Sequence, residues 1–170
     1  TIFSDNLYEF ATYRSYFSDL KSASFPFGYP ILLALISKFI GERPENAIIL
    51  NIFISCISIN LLASLLKNLN FPNWYKFIGI ISLICNPTYI DEILSGRTIP
   101  AAIFFILLSL FFINKNFFIG GIILGSSTLI RFDFIVINLF ILIIIFLSKK
   151  HFLFKRSNIT IYIIGFLLGL

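Results

Sequence analysis

From residue 47 to residue 66 the chain reads AIILNIFISCISINLLASLL, without one charged side chain. Wound as a helix at ~1.5 Å per residue, a run of that length covers the ~30 Å of a bilayer's hydrocarbon layer. Asn51, Ser55 and Ser58 fall at i, i+4 and i+7 of this helix, so its polar stripe should face other helices rather than lipid. A chain built around such a run belongs in a membrane unless its remainder argues otherwise.

The remainder agrees. Hydrophobic residues make up 58% of the chain, charged residues only 12%, and mean hydropathy is +0.97. That charged fraction is about half of what a soluble domain carries. Phe, with 22 residues, and Ile dominate over Ala and Glu, which excludes a coiled coil or one soluble core. Further crossings are expected over 75–90, 99–114, 117–130 and 132–148, with a truncated one from 159 onward. Between the last complete pair only Arg131, Phe132 and Asp133 intervene. One continuous helix there would extend ~48 Å, too long even when tilted, so a hairpin is expected. Gly121 and Gly125, four apart, should let that hairpin pack closely on a neighbour.

The first 28 residues are the least apolar. SDNLYEFATYRSYFSDL sets Leu7, Phe10, Arg14 and Phe17 at helical spacing, with Tyr8, Tyr13 and Tyr16 suited to the headgroup boundary. It reads as an amphipathic helix lying along the surface. SFPFGYP should then turn, ILLALISKFIG (31–41) reaches only about half of the ~30 Å layer and reads as in-plane or re-entrant, and ERPEN is a charged loop. The expected architecture is therefore all-α: an extracytoplasmic juxtamembrane segment over 1–46 and a polytopic transmembrane helix bundle over 47–170. Since the chain starts at Thr1, holds no Met and stops inside the apolar run ITIYIIGFLLGL, we expect it to be an internal piece of a longer protein.

Charge sorts onto two sides of this bundle. One side holds Lys67, Lys76, Lys115, Lys149, Lys150, Lys155 and Arg156 without an acid; the other holds all 8 acids with the remaining basic residues. By the positive-inside rule the first side is cytoplasmic, and the acids face outward. This suits a bacterial cytoplasmic membrane with its chemistry on the extracytoplasmic face. His151, in the basic loop KKHFLFKR, is expected to be solvated and without a role. Cys56 and Cys85 form no CxxC and have no nearby His, so they are expected to be small core residues rather than a disulfide or metal site. Most aromatics lie inside apolar runs rather than among the basic residues, which leaves no platform for stacking on bases and speaks against nucleic acid as a partner.

Three stretches bring polar groups to the outer face: Asp5 with Glu9, Asp91 with Glu92 and Arg97, and Arg131 with Asp133. Each has a plain structural reading. Asp5 could cap a surface helix and Glu9 lie on its solvated face. Asp91 and Glu92 could be loop charges, with Gly96 ending a short helix and Thr98 capping the next. Arg131 and Asp133 could pair to hold a hairpin. The functional reading takes one carboxylate as general base toward a hydroxyl or amine, others as holding a cation or polar substrate, and the arginines as phosphate contacts. A planar guanidinium suits phosphate because it makes two charge-assisted hydrogen bonds at once. No HExxH, P-loop, GxSxG or Cys/His cluster competes.

The order of these features is similar to the N-terminal half of the GT-C membrane glycosyltransferases, the broad group of protein O-mannosyltransferases and lipid A aminoarabinose transferases. It is carried by SDNLYEFATYRSYF, then PFGYPILLALISKFIG, a span, a basic turn, a span ending in Asn86-Pro87, and GGIILGSSTLIRFDF. The resemblance implies inverting transfer of a sugar from a polyprenyl-phosphate or polyprenyl-diphosphate carrier to an acceptor glycan, lipid or protein. It implies Asp5, the acidic residue of the first outer segment, as the catalytic general base. Glu9, Tyr29, Asp91, Glu92, Arg97, Arg131 and Asp133 are the implied substrate-side residues, with a divalent cation as the one cofactor the acids could hold. Where many relatives carry a lone Glu after the Asn-Pro-like element, this chain has SGRT. The alternatives are a glycan polymerase or ligase of another multi-span family, a transporter or flippase, which would want charged or helix-breaking residues at mid-membrane, and a structural subunit.

Overall fold

The computed structural model describes residues 26–41, 43, 45–113, 115–147 and 156–170, the side chains of 145–147 and 156–159 excepted. The expected surface helix over the first residues, with Asp5 and Glu9, lies outside the described residues, as does His151. Every described element is a helix: α1 Gly28–Ile40, α2 Asn46–Asn68, α3 Asn73–Ile84, α4 Pro87–Leu94, α5 Ile99–Ile113, α6 Phe117–Ile130, α7 Phe134–Leu147 and α8 Arg156–Gly169. Of these, α2 alone is long and apolar enough to cross a membrane by itself, and α3 with α4 is so as a pair, bent by 52° at the break between them. The helices α5 to α8 hold 14 or 15 residues each, short of a full crossing.

Two boundaries differ from the sequence expectation, both for reasons of proline chemistry. SFPFGYP was expected to be a turn throughout, yet α1 already begins at Gly28 and takes Tyr29 and Pro30 into its first turn. Proline is tolerated there because first-turn N–H groups have no intrahelical acceptor. The crossing expected over 75–90 is broken at Cys85–Asn86. Pro87 cannot donate back into α3, and Asn86, in the extended region, starts a new helix by accepting from the N–H groups of Thr88 and Tyr89 at 3.0 and 3.2 Å. Asp91 and Glu92 are consequently helical residues of α4 rather than loop residues.

Helix directions follow from the contacts. Ala47 of α2 lies beside Gly96, and Asn51 reaches Arg97, so α2 and α5 start at the same end and run parallel. Helix α6 returns antiparallel to α5. The Ser109 hydroxyl donates to the Gly120 carbonyl (2.8 Å) and lies 2.8 Å from the Tyr162 hydroxyl, which ties α8 to the same place. The hairpin expected at Arg131–Asp133 is present: Asn138 of α7 reaches back to the Ser127 hydroxyl (2.7 Å) and the Leu124 carbonyl (3.2 Å) of α6.

The expected role of Gly121 and Gly125 is also present, with a partner in α8. A Cβ on Gly121 would meet the Tyr162 carbonyl, one on Gly125 the Phe166 carbonyl, one on Gly165 the Phe118 carbonyl and one on Gly169 the Ile122 carbonyl. Two Gly-xxx-Gly faces thus interlock, and the rising register makes α6 and α8 parallel. At the other end of α6, Tyr29, Leu33, Leu50, Ile54, Ala101, Ala102, Ile130 and Phe134 form one buried cluster shared by α1, α2, α5, α6 and α7. The expected inward stripe of α2 is buried, with Asn51 and Ser58 fully so and Ser55 nearly so. Cys56 and Cys85, expected in the core, are instead free and exposed. Apolar segments here turn much of their apolar surface outward, and the cysteines share that face.

Candidate functional site

The turn between α4 and α5 is shaped by its backbone. After Leu94, Ser95 caps α4 and Gly96 takes a positive φ of 66°. The Arg97 N–H bonds the Glu92 carbonyl at 3.0 Å and the Gly96 N–H the Ile93 carbonyl at 3.2 Å, the paired closure of a Schellman motif. The same closure ends α2, with Asn70 (φ 57°) in the glycine position. At Gly96 a side chain is opposed twice, by its φ and by Ala47, whose Cβ would lie 2.8 Å from an added one. The expectation that Gly96 ends a short helix holds, and Thr98, whose carbonyl accepts from the Ala102 N–H at 3.1 Å, stands at the start of α5.

Two side chains from other helices hold this turn. Asn51 donates its amide hydrogens to the carbonyls of Arg97 (2.8 Å) and Glu92 (3.3 Å). Its own oxygen accepts from the Tyr29 hydroxyl at 3.0 Å, a group also 2.9 Å from the Gly96 carbonyl. Asn51 therefore uses both donors on one turn and its acceptor on the Tyr29 hydroxyl, which reaches the same turn. One helical turn further along α2, Ser55 accepts from the Tyr89 hydroxyl at 3.0 Å and fixes α4 from the side. Tyr29, expected on the substrate side, is buried and spends its hydroxyl on this clamp. Asn51 and Tyr89 were not expected among the site residues. The signal for Asn51 was available, since it begins the polar stripe of an otherwise apolar span; Tyr89 offers no comparable pattern.

The clamp presents three charges. The Glu92 side chain is only 8% exposed, and its Oε1 accepts from the Arg97 guanidinium at 3.3 Å. Its Oε2, wholly shielded from solvent, has no hydrogen-bond partner among the described residues. Asp91 lies 3.6 Å from the same Arg97 nitrogen and is 65% exposed, and it accepts from the Ser95 hydroxyl at 3.3 Å. Arg97 is 60% exposed and gives one terminal nitrogen to both acids. The pairing with Asp91 contributes little, because water competes at such exposure. The pairing with Glu92 matters more: without Arg97 a buried carboxylate would stand alone.

Arg131 and Asp133 realise the local pairing that the hairpin suggested. The Arg131 Nε lies 2.8 Å from both Asp133 oxygens, which leaves the terminal guanidinium nitrogens outside that contact. This turn and the Glu92–Arg97 turn lie at the same end of the helix assembly. Gly28, next to Tyr29, packs on the α6 terminus so tightly that a Cβ there would come within 2.7 Å of the Leu129 carbonyl, while Tyr29 itself touches Gly96. Of the expected site residues, Tyr29, Asp91, Glu92 and Arg97 are thus in one connected cluster. Arg131 and Asp133 sit beyond Gly28, and Asp5 and Glu9 lie outside the described residues. Among the described residues no group of three or more His, Cys, Asp or Glu side chains could hold a metal ion.

Comparison with protein-family models, curated proteins and solved structures gives no match.

Proposed function

We propose that this chain is part of a polytopic membrane glycosyltransferase of the GT-C kind, which moves a sugar from a polyprenyl-phosphate carrier to an acceptor at the extracytoplasmic face. The observation that carries the reading is the buried Glu92 carboxylate with an unpartnered oxygen, held against Arg97 at an end of the helix assembly where every described acid collects. A buried carboxylate whose second oxygen has no donor is costly in a purely structural role, and its charge fixes the one guanidinium that reaches it. The membrane setting is supported by α2, by the bent pair α3–α4, and by the apolar outer faces of α3 and α7.

In this scheme Arg97 and Arg131 take the carrier phosphate at the interface, each with guanidinium nitrogens beyond its carboxylate contact. Asp5 removes the proton from the acceptor as the acceptor oxygen or nitrogen bonds to the anomeric carbon. The bond from that carbon to the carrier phosphate breaks on the opposite face, so configuration inverts and the phosphate leaves with its electron pair. Glu92, buried beside Arg97, holds the guanidinium toward that phosphate. A positioned base is worth about 10²- to 10⁴-fold in rate. The Asp5→Asn variant of the protein in native membranes should lower transfer from polyprenyl-phosphate sugars by that factor while remaining membrane-bound. Glu92→Gln, which keeps the shape and removes the charge that holds Arg97, should chiefly raise KM for the polyprenyl-phosphate donor. Unchanged transfer by Asp5→Asn removes that residue from the mechanism, and a chain that carbonate washing strips from membranes removes the reading altogether.

A further inference from the structure

The end of the helix assembly opposite the carboxylates has no part in the scheme above, and its composition is of another kind. Lys67 closes α2, Lys76 lies in the first turn of α3, and Lys115 occupies the turn between α5 and α6. Because α2 and α5 run parallel from a common start, their far ends bring these three lysines to one side. The described acids Glu45, Asp91, Glu92 and Asp133 all lie at the other. None of the three ammonium groups meets a carboxylate among the described residues. Lys76 takes only the neutral Asn73 side-chain oxygen at 3.0 Å, and Lys115 stands 4.5 Å above the Phe111 ring.

Between Lys67 and Lys76 the chain sets an aromatic group on the outside. Helix α3 has no buried residue, and Trp74 and Phe77 are 56% and 66% exposed. Trp74 stacks on Tyr75 at 3.7 Å, and Phe71 lies 5.6 Å from the same Tyr75 ring. Rings with one apolar and one polar edge, placed where an apolar helix meets lysines, fit the boundary between acyl chains and headgroups. Ammonium groups just beyond them, met by no carboxylate among the described residues, attract anions.

We propose that this end is a docking surface for anionic phospholipid headgroups, with Trp74 and Tyr75 seated at the acyl–headgroup boundary and Lys67, Lys76 and Lys115 facing the lipid phosphates. The assignment rests on the membrane reading of the chain and is independent of its catalytic part. Charge complementarity selects the lipid: zwitterionic headgroups carry their own cation, whereas anionic ones leave the phosphate to the lysines.

Trp74 is the one tryptophan of the chain and reports on this site directly. The chain is placed in nanodiscs of phosphatidylcholine alone or mixed equally with phosphatidylglycerol, bromine being carried by one lipid at a time, either near the headgroup or near the chain end. Headgroup-proximal bromine should quench Trp74 more than chain-end bromine. Brominated phosphatidylglycerol should quench with an effective local concentration about tenfold above that of brominated phosphatidylcholine. The triple variant Lys67→Gln, Lys76→Gln, Lys115→Gln should lose that preference and keep the shallow depth. Equal quenching by the two lipids overturns the headgroup assignment while the membrane reading stands. Stronger quenching by chain-end bromine overturns the boundary position of Trp74. Absence of quenching by any brominated lipid overturns both the proposal and the membrane reading beneath it.

Discussion

At the scale of single residues, Asn51 decides more of the candidate site than any charged group does. Its amide reaches two carbonyls of the α4–α5 turn and its oxygen takes the Tyr29 hydroxyl, all within a fully buried position. Asn51→Leu keeps the approximate volume and strands these partners without a replacement. We expect a loss of about 1–3 kcal/mol, read as a lowered unfolding temperature of the detergent-solubilised chain. Asn60→Leu is the matched control. Asn60 is exposed on the same helix and, among the described residues, its side chain bonds only the Cys56 carbonyl one turn back, so its replacement should move stability by less than about 0.5 kcal/mol. Equal effects of the two substitutions would show that the clamp does not hold the turn. The importance of Asn51 was half legible: its place on a polar stripe announced an inward face, while its three partners, one of them 46 residues away, came only with the fold.

At the scale of elements, the tightest glycine-to-backbone contacts among the described helices are those between α6 and α8. Gly121 and Gly125 receive carbonyls of α8, and Gly165 and Gly169 receive carbonyls of α6, so each pair is the groove for the other's backbone. A methyl group at Gly121 has only backbone to push against. Gly121→Ala should force the helices apart and lower stability by about 1–3 kcal/mol, seen as earlier melting and faster proteolysis. At Gly79 an added Cβ would meet, at 3.2 Å, the end of the flexible Leu66 side chain, so Gly79→Ala should be nearly neutral or slightly stabilising. Spacing in the sequence disclosed one half of this interlock and the hairpin at Arg131–Asp133, because small residues four apart and a three-residue polar break are local signals. What was not legible turned on context. Pro30 could sit within a first helical turn or before it, and the break before Pro87 turned Asp91 and Glu92 from loop into helix. The cysteines, read as core, face outward because apolar character does not tell inside from outside where the outside is itself apolar.

At the scale of the whole molecule, Lys67, Lys76 and Lys115 at one end and the described carboxylates at the other are joined by helices whose outer faces carry Ile, Leu and Phe, the distribution that the proposed bilayer setting requires. The direction of that arrangement is a separate question, and it controls which compartment supplies any substrate. Phe132, exposed in the α6–α7 turn, marks the acidic end, and Lys115, exposed in the α5–α6 turn, marks the basic one. With Cys56 and Cys85 replaced by Ser to remove background reactivity, Phe132→Cys should react in intact cells with a maleimide that does not cross membranes. Lys115→Cys should react only after permeabilisation. The reverse pattern would turn the chain over and place Glu92 and Arg97 toward the cytoplasm, incompatible with a donor presented on the outer face. Reaction of both in intact cells would mean that the two ends share a compartment, and the segregation of charge would then need a cause other than a bilayer between them.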